Sequence, residues 1–226
     1  FAAHGLTVGQ VLLTVEDISR QTSYANAQRT FLRLLELGAI PVVNENDTVA
    51  TNELRFGDND RLAALVAHVV SADVLFLLSD VEALYTDHPS RPGACKITDV
   101  PEVEDLVVDT SRGGSAVGTG GMATKLEAAK IATHAGVTTV LASARSVGEA
   151  LAGEPVGTLF RASGRRRSRK MLWLAYASQV RGALTLDAGA VRAVVERGAS
   201  LLPAGVTGFE GDFQAGVRIL KQDNVL

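Results

Sequence analysis

Two hydrophobic rhythms alternate over residues 1 to about 160. Three runs, Ala39-Ile-Pro-Val-Val43, Val74-Leu-Phe-Leu-Leu78 and Val137-Thr-Thr-Val-Leu141, carry no interior charge, as expected of strands covered on both faces. Leu6 to Thr14 has the same strand-like character. Between these runs apolar positions repeat at helical spacing. The pattern predicts helices over Ala25 to Leu37, stopped by Gly38, over Arg61 to Val70, led by Asp58-Asn59-Asp60, and over Thr124 to Ala135, stopped by Gly136. Glycine just past a helix end supplies the left-handed residue that closes the last turn. Short buried strands alternating with amphipathic helices define an α/β domain built on a mostly parallel sheet sandwiched by helices.

The pattern breaks at Ser163-Gly-Arg-Arg-Arg-Ser-Arg-Lys170, which reads as a linker. Beyond it come Met171-Leu-Trp-Leu-Ala-Tyr-Ala177, a helix around Ala188 to Glu196, and short strand-like pieces punctuated by Gly198, Gly205, Gly208, Gly211 and Gly216. The expected organisation is therefore a first domain over 1–162, a linker over 163–170, and a small β-rich unit over 171–226 with no evident closing element. Phe1 leads straight into the strand-like pattern, so the chain reads as an incomplete copy.

Composition narrows the class without choosing a function. In 226 residues, 46% hydrophobic and 21% charged, there is apolar material for one large core and a small one. A formal charge of −3 gives no global attraction to nucleic acid or anionic membrane. One cysteine, Cys95, excludes an intrachain disulfide framework and suits a reducing compartment. No apolar stretch approaches the roughly 18 residues that span a bilayer, so a cytoplasmic location is expected. His4, His68, His88 and His134 lack metal-ligand spacing and read as structural or surface residues, so no protein-held metal is expected.

The chemistry is concentrated where strands end. In open parallel sheets ligands collect beyond the carboxyl ends of the strands. There the run ending at Val43 meets Asn44-Glu-Asn-Asp47, and the run ending at Leu78 meets Ser79-Asp80. A third cluster, Gly57-Asp-Asn-Asp60, opens the helix whose apolar positions are Leu62, Leu65, Val66 and Val69. Taken singly, each cluster reads equally as a turn or a helix cap. The most informative stretch is Gly118-Thr-Gly-Gly-Met-Ala-Thr-Lys125. Its glycines let backbone N–H groups approach an anion, the following helix adds the positive end of its dipole, and Lys125 adds a full charge. It departs from the P-loop spacing, because the lysine follows Met-Ala-Thr. A glycine-rich loop is also an ordinary flexible turn, but together with the acidic clusters it favours phosphoryl transfer.

Four segments, Val43-Asn-Glu-Asn-Asp-Thr-Val-Ala50, Phe56-Gly-Asp-Asn-Asp-Arg-Leu62, Leu77-Leu-Ser-Asp80 with Leu84-Tyr-Thr86, and Gly118 to Lys125, resemble in order and spacing the motifs of the glutamate 5-kinases. These enzymes have the amino acid kinase fold, and Gly182 to Gly189 with Gly198 to Gly205 resembles the start of the PUA domain that many bacterial members carry. The resemblance implies ATP-dependent phosphorylation of the L-glutamate γ-carboxylate, the first step of proline synthesis, with Mg²⁺ on the nucleotide. It implies that Asp47 and Asn59 contact glutamate, and that Ser79 and Asp80 line the nucleotide site. Thr119, Gly120, Gly121, Met122, Ala123, Thr124 and Lys125 would wrap the phosphates, with Asp60 orienting catalytic lysines that include Lys125. A homo-oligomer and feedback inhibition by proline are further implications. Three departures stand out. The family's N-terminal phosphate loop has no counterpart after Phe1, so this chain alone is expected to be inactive. His88 stands where an aspartate is usual and Ala83 where glycine is usual, and the PUA-like unit is expected to be incomplete at Leu226.

Two rival readings remain at this point. One is another kinase of the same fold, acting on uridylate or acetylglutamate, against which the Gly-Thr-Gly-Gly-Met-Ala-Thr-Lys segment argues. The other is an RNA-binding module using the PUA-like unit and the basic run Arg165 to Lys170. That run has no interleaved aromatic platform and reads better as a solvated linker.

Overall fold

The computed structural model describes residues 1–14, 17–18, 21–48, 59–106, 121–163, 180–211 and 218–223. Chain contacts divide it into two compact units, Phe1–Leu172 and Trp173–Leu226.

In the first unit, strand β1 (Val8–Leu13) pairs in parallel with β2 (Ile40–Glu45) across the intervening helix α1 (Gln21–Glu36). Helix α1 buries Tyr24, Ala27 and Phe31 at helical spacing. It lies so close to β1 that a Cβ on Gly9 would sit 2.7 Å from Leu34 Cδ2. The helix ends as its sequence predicts. Gly38 takes φ 70°, its N–H bonds the Leu35 carbonyl, and the Ala39 N–H reaches back to Leu34, which satisfies carbonyls a helix end leaves orphaned.

Helix α2 (Asn59–Val69) follows and packs on β2, on strand β3 (Val74–Ser79) and on α1. Leu62, Leu65 and Val69 are buried as the periodicity predicts, but Ala64 and Ala67 are buried with them while Val66 stays partly exposed. Helix α3 (Met122–His134) lies alongside α2 and buries Ala128, Ala129 and Ala132, and small side chains on both partners let two helices approach closely.

The main sheet has the order β3, β7 (Thr138–Ser143), β8 (Thr158–Phe160), β6 (Asp99–Val100). After β3 the chain forms a short antiparallel hairpin, β4 (Leu84–Tyr85) with β5 (Lys96–Ile97), and runs on into β6 (Asp99–Val100). Following α3, β7 (Thr138–Ser143) lies parallel to β3, in the register Val74 to Thr138 through Ser79 to Ser143. The short helix α4 (Val147–Leu151) then leads to β8 (Thr158–Phe160), which is antiparallel to β7 and parallel to β6. Gly157 makes this reversal possible. It has φ 78°, and a Cβ there would stand 2.2 Å from the Leu141 carbonyl oxygen. Across the sheet edge, Arg161 holds Asp99 with two hydrogen bonds of 2.8 and 3.1 Å. Those bonds and the carboxylate's charge raise the guanidinium pKa above its usual range.

Strand coverage differs from the uniform burial that uncharged runs suggest. Thr139, Leu141 and Ala142 of β7 are buried, consistent with cover on both faces. The β1–β2 pair instead leaves Val8, Leu12, Ile40 and Val42 exposed. In parallel register these residues share one face, and among the described residues no helix covers it.

The second unit is small and β-rich. Strand β9 (Val180–Leu186) is central, with β10 (Val206–Gly211) antiparallel on one side and β11 (Arg218–Asp223) parallel on the other. Helix α5 (Ala188–Val195) is capped by Asp187, whose Oδ1 accepts the Ala190 N–H at 2.7 Å. A Cβ on Gly205 would lie 2.5 Å from Ala190 Cβ, so glycine is what lets this turn rest on the helix. Residues 164–179, which contain most of the expected linker and its basic run, lie outside the described residues.

Candidate active site

The N-termini of α2 and α3 come together, and this is where the sequence-selected residues make their longest-range contact. Lys125 Nζ donates to Asp60 Oδ2 at 2.8 Å, joining residues 65 positions apart. Both side chains are mostly buried, with 14% and 17% of their surface exposed. Thr124 Oγ1 sits 3.4 Å from the same carboxylate oxygen and donates to the Gly121 carbonyl at 2.8 Å. Gly121 is the N-cap residue of α3 in extended backbone, with no side chain to satisfy the first-turn N–H groups. The N-terminus of a helix is a place where backbone N–H groups can meet an anion. One carboxylate therefore holds a lysine, with a threonine hydroxyl beside it, at the mouth of a helix whose dipole favours negative charge.

The remaining selected residues occupy neighbouring elements. Asn59 is exposed at the first position of α2. Asp47 is exposed on the turn that follows β2. Ser79 closes β3 and donates to Asp80 Oδ1 at 3.1 Å, with Asp80 open to solvent. Met122 and Ala123 fill the first turn of α3, whereas Thr119 and Gly120 lie outside the described residues. Of the two departures inside this region, Ala83 is completely buried. His88 sits on the exposed hairpin tip, where its Nδ1 accepts the Ser90 N–H at 3.3 Å.

Two further groups stand at strand ends and were not selected from sequence. Ser143 is the register partner of Ser79, and its Oγ accepts the Arg145 N–H at 3.3 Å. At the end of β1, Asp17 Oδ2 accepts from both the N–H and the hydroxyl of Thr14, at 2.8 and 2.7 Å. The Thr-x-x-Asp spacing of this second pair is a capping pattern legible in sequence. The Ser79 to Ser143 pairing has no local signal.

Taken together, a mostly parallel strand core, polar residues beyond its strand ends and a helix mouth suited to an anion describe an α/β protein with a candidate anion site. Residues 1–143 match the amino acid kinase family and residues 182–224 match the PUA domain. The chain belongs to the amino acid kinase family. It is 59% identical to the glutamate 5-kinase of Cutibacterium acnes over 225 residues, which are 99% of this chain and 58% of that protein. It is 61% identical to the glutamate 5-kinase of Thermobifida fusca over 219 residues, covering 96% and 56%. The chain thus spans under two thirds of the length of these relatives. Among solved structures, carbamate kinase from Giardia lamblia bound to AMP-PNP aligns with a TM-score of 0.48 at 20% identity, over 60% of this chain and 49% of that one.

Proposed function

We propose that this chain carries the nucleotide and amino-acid sites of a glutamate 5-kinase, which transfers the γ-phosphoryl group of ATP to the side-chain carboxylate of L-glutamate and so begins proline synthesis. The observation that carries the reading is the Asp60–Lys125 contact at the mouth of α3, in a chain 59% identical to a relative of that activity. A carboxylate oxygen attacks the γ-phosphorus, the bond to the β–γ bridging oxygen breaks, and ADP leaves. The nucleophile is already ionised at neutral pH, so no general base is needed. Positioning and neutralisation of charge on the transferred oxygens remain to be supplied.

Lys125 is suited to that neutralisation, with Asp60 holding its ammonium in place and the first-turn N–H groups of α3 adding donors. Thr119 to Lys125 would wrap the phosphates and Ser79 with Asp80 would line the nucleotide, while Asp47 and Asn59 would hold the amino-acid end of glutamate. Among the described residues there is no group of three or more His, Cys, Asp or Glu that could hold a metal ion. The donors present suit phosphate; Mg²⁺ would come with the nucleotide and would offset part of its charge. Inhibition by proline, self-association and a cytoplasmic site of action belong to the same proposal.

The test uses a chimera in which this sequence replaces the matching span of the Thermobifida fusca relative. Supplied with Mg-ATP, it should release ADP with L-glutamate in preference to aspartate, N-acetylglutamate or UMP. Hydroxylamine should trap its acyl-phosphate product as a hydroxamate. A preference for any of the other three acceptors would refute the assignment.

A further inference from the structure

A buried hydroxyl outside the site is joined to it through one short segment. Thr158, the first residue of β8, is completely buried. Its Oγ1 accepts the Leu84 N–H at 2.8 Å and donates to the Ile97 carbonyl at 2.5 Å. Leu84 and Ile97 are direct partners across the β4–β5 hairpin. The one hydroxyl therefore bonds both strands of the hairpin at the same rung and ties that rung to the main sheet. Strand β5 also reaches the sheet by running on into β6 through Thr98, whose carbonyl accepts the Leu159 N–H. Strand β4 reaches it through Thr158.

Strand β4 matters because of what precedes it. Ser79 and Asp80 lead through Ala83 into Leu84, and both Ala83 and Leu84 are buried to within 1% of their surface. The connection 80–84 thus hangs between two fixed points, the Ser79 pairing with Ser143 at one end and the Leu84–Thr158 bond at the other. We propose that Thr158 is a positioning residue for the nucleotide end of the site: its hydroxyl fixes the segment carrying Ser79 and Asp80 without touching ligand. This rests on the reading that Ser79 and Asp80 line the nucleotide site. A core threonine whose only role is stability would weaken both substrates together, whereas a positioning role weakens the nucleotide alone.

Three variants in the chimera separate these cases. Thr158→Val keeps the shape and removes the hydroxyl. Thr158→Ser and Thr158→Ala both lose the methyl and differ only in the hydroxyl, so their comparison stands even if the valine form does not fold. Val and Ala should raise the ATP KM about tenfold, equivalent to about 1.4 kcal/mol, while the glutamate KM stays within about twofold; Ser should behave as the parent. In the 226-residue chain itself, hydrogen exchange at the Leu84 amide should be slow, faster in the Ala form and slow again in the Ser form. Equal ATP KM values for Ser and Ala, or parallel losses for ATP and glutamate, would overturn the proposal. A parent chimera that binds no ATP would instead refute the kinase reading, and this inference with it.

Discussion

Asp60 and Lys125 are each mostly buried, and a buried charge is tolerated only with a partner or a ligand. Lys125 is suited to act chiefly when charge builds on the phosphoryl group, because an interaction stronger in the transition state than in the ground state lowers kcat when it is removed. Lys125→Ala in the chimera is expected to lower kcat roughly a hundredfold or more with a much smaller change in ATP KM. Lys125→Arg should recover only part of this, since a planar fork does not replace a compact ammonium. Steady-state kinetics at varied ATP decide it, and near-normal kcat with lost ATP affinity would make Lys125 a ground-state anchor. Asp47, exposed after β2, gives a second test. Asp47→Ala should raise the glutamate KM far more than the ATP KM, by the roughly 2–5 kcal/mol that loss of a charged hydrogen-bonding partner costs. At this scale the sequence selects Asp60 and Lys125 because a glycine-rich stretch and an acidic helix start are local patterns. It passes over Thr158 and Ser143 because their partners lie dozens of residues away and are set by strand register.

Helix ends show how far local chemistry carries at the next scale. Gly38 and Gly136 close α1 and α3 in the left-handed region, and both stops are visible in the sequence. Helix α2 ends by the same pair of back-bonds, Ser71 to His68 and Ala72 to Ala67, but with serine at the left-handed position, φ 55°. No glycine marks this end. Ser71→Gly should stabilise the first unit by about 0.5–1 kcal/mol, because a left-handed L-residue is strained. Gly157→Ala should do the opposite, by about 3 kcal/mol or more, since strain adds to a contact with the Leu141 carbonyl that cannot relax. Gly153→Ala, with φ 82° and open space around it, isolates the strain and should cost about 1–2 kcal/mol. Urea unfolding of the three variants orders them; equal losses at 153 and 157 would remove the steric argument. The reversed direction of β8 is not legible in its composition, because a three-residue strand carries no period from which orientation could be read.

For the whole molecule, the division at Leu172 and Trp173 implies two cooperative units, and such chains depart from a single transition. The only tryptophan, Trp173, falls in the second unit, whereas four of the five described α-helices fall in the first. Unfolding followed by tryptophan fluorescence and by far-UV ellipticity should therefore give different midpoints; superimposable curves would show one cooperative body. The α/β character of the first unit and the β-rich character of the second are both legible, because burial periodicity changes between them. The open face of β1–β2 is not, since an uncharged run looks the same whether one face is covered or two.

The sheet order β3-β7-β8-β6 has a consequence for the chain as it leaves the ribosome. Strand β3 is complete at Ser79, but its neighbour β7 begins at Thr138; β6 is complete at Val100, but its neighbour β8 begins at Thr158. Both strands must wait with unsatisfied edges through much of the synthesis of this unit, and such edges recruit other chains. Nascent chains arrested before Thr158 emerges should leave the 84–97 hairpin open to protease, and chains arrested after Phe160 has cleared the exit should protect it. Protection that appears earlier would mean the hairpin forms without the sheet. On this account a translational pause between β6 and β8 is the moment at which the growing protein most needs a chaperone.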